Sequence, residues 1–483
     1  MQIKNIIRIL GLLVALLSAT MLPPAAISLI YRDGGGVAFL TAFCLCLITG
    51  LIAWYPNRHE MKELRSRDGF LIVVLFWIVT GVFSALPLTI AEHPNLSFID
   101  ALFESISGLT TTGATILNEI DSLPHSILFY RQQLQWIGGM GIIVLAVAVL
   151  PMLGIGGMQL YRAETPGPVK DSKMTPRIAD TAKHLWYVYL LITISCTLAY
   201  EFAGMSFFDA ICHAFATVSN GGFSTHNASI GYFKSQTINY ICAFFCLLGA
   251  VNFSLHYVAL RSKSLKAYLV DPEFRGFLVI QSMLALSCFL VLWHFNVYKT
   301  AGESFNQALL QTVSFSTSAG FASADFVHWP LFVPIFLIFS SFIGSCAGST
   351  GGGLKVVRGM LLYLQGVREL NRLVHPKAIF AVKLGNRVVP NRVVEAVWGF
   401  FAAYAIVFVV CMLLLLASGL DNITAFTAVA ACINNLGPGL GSVSSSFASV
   451  NDFSKWVLTI AMLFGRLEIF TLLVLFTPAF WRT

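Results

Sequence analysis

Charge is what this 483-residue sequence has least of. Asp, Glu, Lys and Arg together make up 11% of it, 57% is hydrophobic, and the mean hydropathy is +0.77. A soluble domain carries about 25% charged residues. The composition therefore excludes a soluble fold and indicates an integral membrane protein built from apolar runs of about 20 residues. Other features are missing as well. The N-terminal run "IIRILGLLVALLSATMLPPAAISLIY" lacks a small-residue cleavage site and is too long for a leader, so it is read as a retained helix. The spans contain no Ser/His/Asp set, no zinc-binding set and no paired acids, which argues against an intramembrane enzyme. No basic tail is long enough to turn the net charge of +7 into nucleic-acid binding. The ten cysteines lie almost wholly in apolar segments. Cys242 and Cys246 have no His or acidic neighbour at ligand spacing, so the cysteines are read as small hydrophobes and no cofactor is expected.

What is present is a series of apolar segments. Ten spans are expected, at roughly 6–31, 37–54, 71–92, 126–153, 184–204, 236–260, 276–296, 331–365, 394–418 and 456–477. The loops between them alternate in charge. The N-terminus, 57–69, 159–183, 261–275, 355–395 and the C-terminal tail hold 24 of the 30 Lys and Arg. The positive-inside rule then places both termini in the cytoplasm, and an even number of spans agrees.

Four of the opposite loops are too apolar to be ordinary loops. They read "SFIDALFESISGLTTTGA", "SFFDAICHAFATVSNGGF", "SFNQALLQTVSFSTSAGF" and "NITAFTAVAACINNLGPG". When they are aligned on Gly113, Gly222, Gly320 and Gly437, an alanine falls twelve residues earlier in every copy: Ala101, Ala210, Ala308 and Ala425. Phe98, Phe207 and Phe305 match at fifteen before, where the fourth copy has Asn422; Asp100 and Asp209 match at thirteen before. Four such copies, each between two membrane helices, form an internal repeat of helix, short re-entrant helix, glycine turn and helix. A short helix of about 12 residues is about 18 Å long and ends about halfway across the hydrocarbon core. Backbone that stops there must be buried or line a water-filled path.

Four such turns suggest a ring around an axis. Backbone carbonyls in a ring can replace the hydration shell of a monovalent cation, and glycine permits close approach and positive φ. The partly negative C-terminal helix ends favour a cation in the cavity. The polar residues Thr110, Thr111, Thr112, Ser219, Asn220, Thr317, Ser318, Asn434 and Asn435 orient or line the turns, although each alone could be a simple cap. The expected filter is the triplet ending in each glycine: Thr111, Thr112 and Gly113; Asn220, Gly221 and Gly222; Ser318, Ala319 and Gly320; Asn435, Leu436 and Gly437. His213 and Asp100 lie on the short helices and are read as packing or capping residues.

Two further anomalies sit in the spans. "GSCAGSTGGG", residues 344–353, interrupts an apolar run only thirteen residues after it begins at Leu331. The break therefore begins inside the membrane, next to the ion path. Its glycines make it deformable, and it is read as an intramembrane gate formed by Gly344, Gly348, Ser349, Thr350, Gly351, Gly352 and Gly353. A phosphate-cradling loop would need P-loop spacing and a preceding strand, and both are absent; a passive packing break remains the competing reading. Arg466 sits in "LTIAMLFGRLEIFTLLVLF", and a charge at mid-membrane is costly. It is read as an electrostatic barrier below the filter or as a donor that holds the gate; a salt bridge to an acid such as Glu104 is the structural alternative.

"SGLTTTGAT", "GGFSTH", "AGSTGGGLK", "NNLGPGLG" and "FGRLEIFTLLVLFTP" resemble the Trk/Ktr/HKT superfamily of potassium transporters. The resemblance runs from "RDGFLIVVLFW" to the C-terminal "FWR" and includes the N-terminal helix pair. It implies an all-α polytopic membrane protein with four channel-like repeats around a pseudo-fourfold pore. The expected division is 1–68 for the extra helix pair, then 69–158, 183–262, 272–365 with the gating loop, and 392–480 for the repeats. It further implies a homodimer in the bacterial inner membrane and a cytoplasmic nucleotide-binding ring partner, TrkA. The family's selectivity glycines fall on the four already aligned, its intramembrane loop on 344–353, and its pore arginine on Arg466. None of the four turns contains "TVGYG", so discrimination among K+, Rb+ and Na+ is expected to be weaker than in a channel. Potassium uptake driven by the membrane potential is the first functional expectation, with K+ as the transported ion. A Na+- or H+-coupled symporter is the alternative.

Overall fold

The computed structural model describes residues 2–59, 66–141 and 178–482. The second half of the span expected at 126–153, the rest of the first repeat to 158, and the basic residues of 60–65 and 159–177 lie outside the described residues. Six helices among the described residues are long and apolar enough to cross a membrane: Ile3–Tyr31, Gly36–Asn57, Arg67–Ile90, Lys183–Phe202, Pro272–His294 and Asn391–Ala417. Two bent pairs add two more, Gln236–Ala250 with Phe253–Ser262 and Asp452–Arg466 with Phe470–Phe476. The chain is an all-α polytopic membrane protein. Of the ten expected spans, 126–153 runs into undescribed residues. The span at 331–365 is two helices, Val333–Ile343 and Val356–Val374, separated by the glycine stretch. One small antiparallel hairpin, Lys383–Leu384 with Arg387–Val388, lies in the basic 355–395 segment.

The four short helices are Phe98–Leu109, Phe207–Val218, Ala301–Ser316 and Asn422–Ile433. Three have the expected 12 residues; the third has 16, because Thr300 caps it a turn earlier than the alignment on Phe305 suggests. Each begins with a side-chain cap: Ser97, Ser206, Thr300 and Asp421 accept the backbone N–H of Asp100, Asp209, Glu303 and Thr424. An acid follows three residues after the cap in the first three, where it complements the helix dipole. The aligned alanines Ala101, Ala210, Ala308 and Ala425 are all fully buried, whereas Phe98, Phe207 and Phe305 are exposed. Each short helix therefore buries its aligned alanine, and the first three expose their aligned phenylalanine.

Candidate functional site

The four short helices end in the same turn. Thr112, Gly221, Ala319 and Leu436 donate their N–H to the carbonyls of Ser107, Ala216, Ser314 and Ala431, at 2.7–2.9 Å. One residue earlier, Thr111, Asn220, Ser318 and Asn435 donate to Gly108, Thr217, Phe315 and Cys432 at 3.0–3.2 Å. These paired bonds form the Schellman closure of a helix. It requires a left-handed residue, and Thr111, Asn220, Ser318 and Asn435 have φ of 56°, 52°, 58° and 52°. Asn and Ser tolerate this conformation; for β-branched Thr111 it is strained. Two residues later Gly113, Gly222, Gly320 and Gly437 have φ of 80°, 77°, 77° and 97°.

These glycines close a ring. A Cβ placed on Gly113 would collide with the carbonyl of Gly221, one on Gly222 with that of Ala319, and one on Gly320 with that of Leu436. One on Gly437 would lie 2.7 Å from the carbonyl of Thr112. Each contact links one turn to the next, and the fourth returns to the first. All four are closer than the 3.0 Å that real Cβ atoms essentially never breach. Only hydrogen fits between the four backbones, so glycine is required at each position. Side chains brace the ring from behind. Asn435 donates to Thr112 Oγ1 at 2.9 Å, and Tyr404 donates to Asn434 at 2.6 Å. Arg131 and Glu104 form a fully buried ion pair at 2.8 Å. Arg131 also donates to the Ser224 carbonyl and to Thr115, and Glu104 accepts the N–H of Ile116. The pair therefore ties the chain leaving the first turn to the chain leaving the second.

The glycine stretch packs under this ring and is held by many bonds. Ser345 donates to the Thr317 carbonyl at 3.2 Å, and Gly352 N–H donates to Ser318 Oγ. Thr350 Oγ1 contacts the carbonyls of Val218 and Gly249 at 3.1 and 3.0 Å, and Phe253 N–H donates to Gly348. Ser349 donates back to Cys346, and the Lys355 ammonium donates to the Gly351 carbonyl. Gly344 and Gly353 have φ of 73° and 76° and lie back to back, so a side chain on either would strike the other's backbone. Glu273 accepts N–H from Ala347 at 2.8 Å and from Val357 at 3.1 Å with a single carboxylate oxygen. Arg466 donates to the Thr350 carbonyl at 3.2 Å, to the Gly139 carbonyl at 2.6 Å and to that of Gly138. Its guanidinium carbon lies 5.4 Å from the centroid of the Trp77 ring. Through Arg466 and Thr350, chain following all four turns meets in two side chains.

The sequence matches the family described as TrkH, cation transport protein, over residues 35–483. The chain belongs to the TrkH family. Relatives named Trk system potassium uptake protein TrkH share 62% identity in Vibrio parahaemolyticus serotype O3:K6 and 61% in Escherichia coli K12, over the full length of both chains in each case. The crystal structure of the potassium transporter TrkH from Vibrio parahaemolyticus superposes with a TM-score of 0.91 at 59% identity, covering all of both chains.

Within this TrkH-family chain, the last two residues of each expected triplet meet those of the neighbouring turns, and of the glycine stretch Thr350, Gly351 and Gly352 touch the ends of the short helices at Val218, Thr317, Ser318 and Asn434. Asp100 is capped by Ser97 and pairs with Lys455 at 2.6 Å; His213 is buried and bonds the Asp209 carbonyl and Ser224. Capping and packing therefore describe both. Pairing of Arg466 with Glu104 does not occur, because the partner of Glu104 is Arg131. Glu468, two residues after Arg466, instead pairs with Arg358. Sequence reasoning missed Arg131, Gln135 and Glu273. The first two had a visible signal: "YRQQLQW" is strongly polar for a buried helix, and Arg131, Gln132 and Gln135 are all fully buried.

Proposed function

We propose that this chain is a potassium uptake pathway of the bacterial inner membrane, with a channel-like pore through four pseudo-symmetric repeats. The observation that carries this reading is the closed circuit of glycine-to-carbonyl contacts running from turn one to two, three, four and back to one. A circuit of this kind presents a layer of backbone carbonyls to an axis, and such a layer can take the place of a cation's water shell. The relatives' name supplies K+ as the ion. With only one short layer, Rb+ passes with K+ and Na+ is excluded weakly. The glycine stretch and Arg466 act as the gate, because they bridge all four following chains beneath the ring. The positive-inside distribution places that gate on the cytoplasmic side, together with both termini. Control by a cytoplasmic nucleotide-binding ring partner, TrkA, and assembly as a homodimer within membrane lipid follow from the family resemblance.

A Na+- or H+-coupled symporter is the second reading. One observation favours it: Glu273 places a carboxylate directly on the gate. Rb+ uptake into proteoliposomes under a clamped potential, without any Na+ or H+ gradient, separates the two. Flux is expected, since 100 mV contributes about 2.3 kcal/mol per charge. No flux until a Na+ or H+ gradient is imposed would overturn the channel reading. Uptake by a potassium-uptake-deficient host, with and without the ring protein, tests the regulation.

A further inference from the structure

The ring is not equal on its four sides. Among the described residues, one of its four carbonyls, that of Gly221, accepts a side-chain N–H, which comes from Gln135. The same amide group reaches across the turn, where Gln135 Oε1 accepts the N–H of Phe223 at 3.0 Å. A fully buried side chain on the helix after the first turn thus holds both flanks of Gly222 in the second turn. The residue preceding the ring glycine is Thr112, Ala319 or Leu436 in the other turns and glycine only here. Gln135 supplies the reason: a Cβ on Gly221 would lie 2.6 Å from its Oε1 and 2.8 Å from its Nε2. The amide occupies the space that a side chain fills elsewhere. At the corresponding point of the second and fourth following helices, three residues before the glycine that meets the short helix, stand Cys246 and Met462, which offer no such pair of bonds.

We infer that Gln135 is a positioning residue for ion selection, fixing the Gly221–Gly222 peptide plane at the side of the ring where the backbone is freest. Two successive glycines lack the side-chain packing that restrains the other turns. Left unclamped, this peptide can rotate and let the carbonyls close around a smaller ion. The inference rests on the reading of the ring as the selecting element.

The test is the K+/Na+ permeability ratio, taken from reversal potentials of purified protein in bilayers. In Gln135→Met, which keeps the length and removes both bonds, the ratio is expected to fall about fivefold, the scale of one hydrogen bond in an equilibrium. Gln135→Glu guards against a folding failure. A neutral carboxyl can still donate to Gly221, whereas a carboxylate repels its carbonyl, so the ratio should become pH-dependent in this variant while the wild type stays flat. A packing role would lower the yield of folded protein but leave the ratio of the survivors unmoved at every pH, and that result would overturn the inference. Gly113→Ser serves as the control for the ring itself and should also lower the ratio. If Gly113→Ser moves it and both Gln135 variants leave it unchanged, the clamp fails and the ring reading stands. If none of the three moves it, the ring reading fails with the clamp.

Discussion

Arg466→Ala should open the pathway, and the size of the effect can be worked from its contacts. Among the described residues, the guanidinium donates to three backbone carbonyls, those of Gly138, Gly139 and Thr350. The first two belong to the helix after the first turn, and the third belongs to the glycine stretch. The bond to Thr350 is the one that ties the gate to a fixed element. A hydrogen bond with one charged partner contributes about 1.5–3 kcal/mol net. At about 1.4 kcal/mol per tenfold, losing the Thr350 bond shifts the closed-to-open equilibrium roughly 10- to 150-fold toward open. Removing the positive charge also lowers the barrier to a cation, so both effects have the same sign. Arg466→Lys separates them. Lysine keeps the charge but replaces the planar fork of donors with a point, and it cannot hold carbonyls on two sides at once. The expected order of basal Rb+ flux without partner is therefore Ala, then Lys, then wild type. The assay is Rb+ uptake into proteoliposomes at clamped potential, using protein that elutes as a folded species. Folded Arg466→Ala with flux at or below wild type would refute the reasoning. Lys equal to Ala would show that the fork of bonds outweighs the charge.

Three other outcomes follow from the same geometry. Deleting 346–352 should raise flux and leave K+/Na+ selection intact, because the ring lies in other segments; a folded deletion protein with flux no higher than wild type would show that the stretch is a packing break. Glu273→Ala removes the acceptor shared by Ala347 and Val357 and should raise basal flux, whereas Glu273→Gln keeps an acceptor oxygen and should stay near wild type; loss of uptake in Glu273→Gln would instead favour the coupled symporter. His226, outside the spans, stacks on Tyr232 between Asp121 at 2.7 Å and Asp209 at 3.5 Å. Burial alone would lower its pKa, but the hydrogen bonds and charges of the two carboxylates outweigh burial and raise it above the ordinary 6.5. A raised pKa adds stability below the ordinary value, and that stability is lost as pH rises through the folded-state pKa. The wild-type Tm should therefore fall more than that of His226→Gln as pH rises above the ordinary 6.5, and equal slopes would refute the pairing.

The sequence made the ring legible because its signal is positional. Four glycines stood in register with four alanines, and the alanines are buried and the glycines touch in consequence of that register. The N-caps were also within reach: Ser97, Ser206 and Thr300 each precede an acid by three residues. What could not be read was anything set by contact between distant segments. Arg131 stands midway along the helix His125–Trp136 and is fully buried because it pairs with Glu104, 27 positions earlier. Glu273 stands in the first turn of the helix Pro272–His294, a place that local rules explain by themselves. Its second use, on the glycine stretch 74 and 84 positions away, leaves no local trace.

The glycine stretch interrupts an apolar run in the sequence, and in the structure it is one of four breaks. Breaks occur after all four turns, at glycines that abut a short helix. Gly138, Gly249 and Gly465 lie against the last helical carbonyl of the short helix before them, those of Leu109, Val218 and Ile433, and Gly351 lies against the carbonyl of Thr317, the cap residue just past the third. At each contact the following helix yields. The first widens into a π turn at Ile137–Gly141, the second bends by 96° after Ala250, and the fourth bends by 108° after Arg466. The second and fourth breaks lie within runs apolar enough to read as single spans, 236–260 and 456–477. In the third, between Ile343 and Val356, the break lengthens into a loop bonded to the second through Val218 and Gly249 and to the fourth through Arg466. A helix end needs partners for its last carbonyls, and a glycine on the following helix admits their close approach. A break near the short helix is thus shared by the four following helices, and in the third it extends into a loop held by the second and fourth.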